Sequence, residues 1–168
     1  MTVSMSSVEW DRLAALRACS ILDTPREQPF DNLVYTAAQI FRVPLAMLCL
    51  IAEDRIWVKA SVGPIPTTWE RQHSFCNILT DTNQLLVIED AETDTRWGRN
   101  PATFGHTPIR FCASAPLYGP GKQVIGALCV MDRHPKTVPD RQRYQLMQLA
   151  HEAGKLLCLR VPDSGQNA

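Results

Sequence analysis

The chain has 168 residues, 45% of them hydrophobic and 20% charged, which suits one compact domain with a sizeable core and argues against a second. Seventeen basic and seventeen acidic groups cancel, so no long-range field draws the chain to DNA, RNA or an anionic membrane. The longest apolar run, Pro44 to Ala52, is too short to span a bilayer, and Met1 to Ser7 lacks the layout of a signal peptide; a cytoplasmic protein is expected.

After a flexible start over residues 1–8, apolar Val8, Leu13, Ala15 and Leu16 recur at helical spacing between Ser7 and Ser20, with Ser6 or Ser7 as N-cap. Asp23-Thr24-Pro25 reads as a turn, a cap and a first-turn proline. The second helix follows, its apolar face built from Phe30, Leu33, Val34, Ala37, Ala38, Ile40 and Phe41, until Pro44 ends it. Leu45 to Ala52 and Arg55 to Val62 form a hairpin about Glu53-Asp54, with Ile56, Val58 and Ala60 expected on one face and Trp57 and Lys59 on the other. Thr68 to Asn83 reads as loop and short helices, and Leu85 to Glu89 as a third strand. The stretch Asp90 to Pro108, with isolated Trp97 and Phe104, is long for a plain connection, as loops that cover a site often are. Ile109 to Leu117 and Gln123 to Met131 make a second hairpin about Gly119-Pro120-Gly121-Lys122. A last helix opens at Asp140 and aligns Leu146, Leu149, Ala150, Ala153, Leu156 and Leu157, before a flexible tail over 161–168. This order predicts an α+β fold, a mainly antiparallel sheet with helices packed on one face.

Six cysteines stand at 19, 49, 76, 112, 129 and 158 without a CxxC pair, which points away from a disulfide framework. Cys49, Cys129 and Cys158 read as small core hydrophobes. Four scattered histidines share no ligand spacing, so no metal site is expected.

Several motifs then carry a resemblance. Ile21-Leu22-Asp23-Thr24-Pro25, Glu53 to Ala60 with its Asp-Arg-Ile-Trp-Val-Lys core, Ser74-Phe75-Cys76, Ile88-Glu89-Asp90-Ala91, Ile109-Arg110-Phe111, Ala115-Pro116-Leu117 and Ile125 to Asp132 occur in one order. Together they resemble the GAF domains at the N-termini of bacterial sensor histidine kinases and diguanylate cyclases, over residues 9–160. The resemblance implies a central antiparallel sheet, N- and C-terminal helices on one face that often form a dimer interface, and a ligand pocket on the other. With no kinase, cyclase or phosphodiesterase motif after Arg160, it implies a small-molecule-binding or relay module that is not itself an enzyme and acts on a separate output protein.

The candidate ligand-binding residues are Trp57, Lys59, Trp69, Arg71, His73, Phe75, Cys76, Trp97, Arg110 and Cys112. Trp69 to Cys76 fall where the family places one pocket wall, and Arg110 could clasp a carboxylate or phosphate, or pair with Asp90 or Asp94. Cys112 stands where relatives usually carry an aromatic residue. The Asn-Lys-Phe-Asp-Glu pattern of cyclic-nucleotide-binding GAF domains is missing, so neither ligand nor cofactor is named. Two alternatives stay open: a thiol-based redox enzyme or sensor of the GAF-fold methionine sulfoxide reductase type, using Cys76 with Cys112, and a ligand-free dimerisation scaffold.

Overall fold

The computed structural model describes residues 5–94, 103–104 and 107–162. Helix α1 (Ser7–Ala18) begins at Ser6, whose hydroxyl accepts from the Glu9 backbone N–H at 3.2 Å, and it buries Arg12, Leu13, Ala15 and Leu16 while Val8 faces solvent. Helix α2 (Gln28–Phe41) starts later than the Thr24-Pro25 cap predicts. Asp23 takes a left-handed backbone, the Thr24 hydroxyl donates to the Ile21 carbonyl at 2.6 Å, and Pro29 occupies the first helical turn instead. A left-handed Arg42 closes the helix.

Strands β1 (Leu45–Ile51), β2 (Arg55–Val62), β3 (Thr68–Glu70), β4 (Leu86–Ile88), β7 (Phe111–Tyr118) and β8 (Val124–Asp132) form one antiparallel sheet in the order β3-β2-β1-β8-β7-β4; β5 (Thr103–Phe104) and β6 (Thr107–Pro108) pair separately. Both predicted hairpins are present, and β3 adds an edge strand within a stretch read as loop. The alternation along β2 breaks where Leu48 pairs with Ala60 and Cys49 with Val58, leaving Lys59 as the extra residue of a bulge. Ile56 and Val58 therefore face one side and Ala60 the other, contrary to the simple period of two.

Helices α1, α2 and α4 (Asp140–Cys158) cover one face through Leu16, Phe30, Val34, Phe41, Leu146, Ala150 and Leu157 against Leu48, Leu50, Trp57, Phe111 and Leu128. This helix face matches the predicted stripe of α4, with Leu149 and Leu156 half-buried at its margin. Cys158 sits one step past the stripe and is exposed, so it is no core residue. The opposite face carries Met47, Cys49, Ile51, Ile56, Ala127, Cys129 and Met131 under Phe75, Cys76 and Leu79, which come from the two short 3-10 turns Arg71–His73 and Phe75–Ile78 and the helical turn α3 (Leu79–Thr82). No described helix is long and apolar enough to cross a membrane.

Small residues let α4 lie close on β7: a Cβ on Gly154 would stand 2.7 Å from the Tyr118 carbonyl oxygen, a backbone atom that cannot swing away. Gly154→Val should lower stability by about 1–3 kcal/mol through overpacking, read as a lower urea midpoint. A midpoint equal to that of the wild type would show that the sheet yields at no cost.

Candidate functional site

The site is built on the cover face. Ser74 caps the second turn, its Oγ accepting from the Cys76 backbone N–H at 3.1 Å, and this turn drives Phe75 and Cys76 into the sheet, where both are buried. There the Cys76 Sγ lies 3.0 Å from the Cys129 Sγ, and the sulfurs of Cys49, Cys76 and Cys129 all fall within 4.8 Å of one another. The Ser114 hydroxyl donates to the Cys129 Sγ at 3.1 Å and stands 3.9 Å from the Cys76 Sγ. Cys112 Sγ lies 3.3 Å from the same hydroxyl. Hydrogen bonds from Cys129 and then Cys49 hold the Cys76 thiol below the usual thiol range against the opposing effect of burial. Burial first, and the Cys76 charge second, push Cys112 well above it.

The turn is anchored by Arg71. Its Nε donates to Asn77 Oδ1 at 2.7 Å, its guanidinium reaches the Ala52 carbonyl at 3.2 Å, and it pairs with Glu9 of α1. Glu9 in turn accepts two 2.8 Å bonds from Arg12, which is buried and donates to the Ile51 carbonyl at 2.6 Å. Burial raises the Glu9 pKa, but the hydrogen bonds and charges of Arg12 and Arg71 outweigh it and lower the group from 4.5 to about 2.

Of the residues singled out in the sequence, Phe75, Cys76 and Cys112 share the cover face, and Trp69 on β3 packs half-buried against the same cluster. Trp57 and Lys59 stand on the opposite, helix side. Trp57 is buried among the helices, and the Lys59 Nζ binds Thr24 Oγ1 at 2.8 Å, the Pro25 carbonyl and Glu27 at 2.5 Å. Both line an edge groove of about 410 Å³ with Asp23, Arg26, Ile65 and Thr67. Arg110 grips Asp90 through two bonds of 2.8 and 2.9 Å and also meets Glu92, so it is paired with carboxylates as Arg71 is. His73 belongs to the first turn, but its side chain lies outside the described residues, as does Trp97. Cys49, Ser114 and Cys129 were not singled out as a site. Alternation could have put Cys112 and Ser114 on one face, whereas the register that brings Cys129 opposite Ser114 is not written in the sequence.

A family model described as the GAF domain matches residues 25–157. The chain belongs to the GAF domain family. A cyclic di-GMP phosphodiesterase of Pseudomonas aeruginosa is 30% identical over 128 residues, 76% of this chain and 22% of that protein, so the chain spans about a fifth of this relative. Among solved structures, the GAF domain of an Acinetobacter phosphoenolpyruvate-protein phosphotransferase superposes with a TM-score of 0.67 at 16% identity, covering 97% of this chain and 100% of that one. A free methionine-R-sulfoxide reductase from Neisseria meningitidis, solved with its substrate, gives 0.60 at 17% identity, covering 96% and 93%. Both structures share the antiparallel α+β fold, and the family match makes it that of a GAF domain, a general sensory and ligand-binding architecture. The expectation that the chain is no enzyme does not stand, because the curated relative and this fold neighbour both carry enzyme names.

Since the folded Glu9 carboxyl titrates below its ordinary 4.5, its contribution to stability is complete above that pH and is lost as the pH falls through about 2. Glu9→Gln should therefore be less stable than the wild type at pH 7, with the gap in urea midpoint closing below pH 4.5. A gap that stays constant on acidification would remove the ionic account.

Proposed function

We propose that residues 9–160 are a sensory and regulatory GAF domain working in the cytoplasm. It takes a small molecule between the cover face and the 68–108 segment, relays the change through its terminal helices as a homodimer, and acts on a signalling output such as a kinase, cyclase or phosphodiesterase. The Arg71 junction carries this reading. One guanidinium holds Asn77, next to Cys76 on the cover, and Glu9, in the first turn of the N-terminal helix, so a rearrangement of the cover has a direct mechanical route to α1. Charged hydrogen bonds of this kind are each worth about 1.5–3 kcal/mol, enough to bias a two-state element. Exposed Trp10 on α1 and Tyr144 and Met147 on α4 support the terminal helices as the dimer surface. All six thiols are free, which suits a reducing compartment. The phosphodiesterase relative supports a cyclic-dinucleotide enzyme as one form of output.

Native mass spectrometry of the freshly purified chain should show a dimer carrying a small adduct; a bare monomer would count against both ligand and dimer. In hydrogen exchange, Arg71→Met should speed the amides of 71–78 and those of α1 together. Loosening confined to the turn would break the relay.

A second reading is the thiol-based redox enzyme or sensor that the sequence suggests for Cys76 with Cys112, with Cys129, 3.0 Å from Cys76, as the partner thiol that the geometry favours instead. It expects the wild type to reduce free methionine sulfoxide with dithiothreitol as reductant and Cys76→Ser to lose that turnover. Equal inactivity of both would end it.

A further inference from the structure

Three segments far apart in the chain deliver one thiol each to a single point: Cys49 from the middle of β1, Cys129 from β8 and Cys76 from the cover turn. All three are buried, as is the Ser114 hydroxyl that projects among them from β7. Packing alone does not ask for this. A core position satisfied by a small hydrophobe is satisfied by alanine or valine, and a buried serine costs stability unless it is partnered. Among the described residues, the side chains that Ser114 Oγ meets are sulfurs, those of Cys76, Cys112 and Cys129. The dimensions fit a metal. With metal–sulfur bonds of about 2.3 Å, thiolates around a tetrahedral ion lie about 3.8 Å apart; the three sulfurs here all lie within 4.8 Å of one another, and Cys76, carried on the cover turn, must draw back from its 3.0 Å approach to Cys129 to admit the ion.

We propose that Cys49, Cys76 and Cys129 form a binding site for one thiophilic d10 cation, zinc(II) or copper(I), with the Ser114 hydroxyl as a fourth, neutral donor. The donor set chooses the class: sulfur ligands select soft ions over magnesium or calcium, which need oxygen. Binding displaces thiol protons to solvent, and no electron is transferred. The chemistry around the site is also soft, since Met47 and Met131 share the same cluster. Entry runs through the cover, because Cys76 is the one ligand carried on a short turn and the other two are fixed in central strands. The site shares the cover face with the proposed ligand site, but metal uptake is read without reference to ligand, dimer or output, so the two proposals fail separately.

The test is an anaerobic titration of the reduced chain, in separate arms, with zinc(II) and with copper(I), each against a chelator of known affinity. One equivalent should bind in at least one arm, and that arm names the ion. Cys76→Ser should weaken binding on the order of 100-fold or more, whereas Cys158→Ser, an exposed thiol outside the cluster, should bind as the wild type does. Cys49 and Cys129 are too deep for their variants to be safe, so the second measurement uses the wild type: X-ray absorption at the metal edge should report three sulfur neighbours at about 2.3 Å. No uptake in either arm, unchanged uptake by Cys76→Ser, or a shell of nitrogen and oxygen would each overturn the site.

Discussion

The β1–β8 pair is the constraint from which the remainder of the molecule follows. Both strands are buried along their whole length, on both faces. Their backbones run so close at Gly126 that a Cβ there would stand 2.1 Å from the Cys49 carbonyl oxygen. A central pair of this kind must be roofed twice, by helices on one side and by the 71–79 segment on the other. It also leaves strand ends whose carbonyls need donors. Arg12 supplies them, reaching the Ile51 carbonyl at the end of β1 and, at 3.4 Å, the Val124 carbonyl at the start of β8. A guanidinium taken so far out of water needs a counter-charge, and Glu9 provides it. The junction that joins α1 to the cover is thus a consequence of satisfying the sheet.

A second junction lies on the helix face. The bulge at Lys59 sends its ammonium toward the start of α2, over the Phe30 ring at 5.7 Å and onto Glu27. Glu27 also receives Arg160 from beyond the end of α4, at 2.9 and 3.0 Å, and Arg160 donates to the Cys19 and Ser20 carbonyls that follow α1. Helix α1 is therefore held by charge at both ends, at Glu9 and just after Ala18, while its own apolar burial is limited to Leu13, Ala15 and Leu16. An element fixed by a few directional contacts and a small apolar face is more easily repositioned than one sealed into the core.

Much of this order was legible because one face of each element is buried. The α4 stripe, the two hairpins and the helix-on-sheet layering all follow from periods of 3.6 and 2. The errors fall where a local event breaks the period. One extra residue at Lys59 turned Ala60 to the other face, and the Asp23-Thr24 turn spent its hydroxyl on Ile21 instead of capping a helix. The site was less legible for a different reason. Cys76 and Cys112 could be flagged from their surroundings, but the thiols that meet Cys76 are set by the offset of β8 on β1 and β7, with Met47 opposite Cys129 and Cys49 opposite Ala127. That offset is a property of the assembled sheet. The pairing of Arg110 with Asp90 could be named from the sequence as one of two carboxylate partners, whereas Arg71 looks like a ligand clamp there and only the fold reveals Glu9 already in its grasp.

These engaged arginines shape what the cover face can recognise. An anionic ligand approaching Arg71 must compete with a carboxylate already charged down to about pH 2, and to displace it would leave Arg12 short of its counter-ion. At Arg110 the competitor is a bidentate Asp90, the geometry in which guanidinium and carboxylate bind best. Between these two ion pairs the surface is thiol, thioether, hydroxyl and hydrocarbon. Fold likeness to sulfoxide reductases and to phosphotransferase GAF domains leaves the chemistry open, because function resides in the side chains grafted on the fold. In this chain those side chains are soft at the centre, while at the rim Arg71 uses its charge to hold the cover to α1 and Arg110 to hold Asp90.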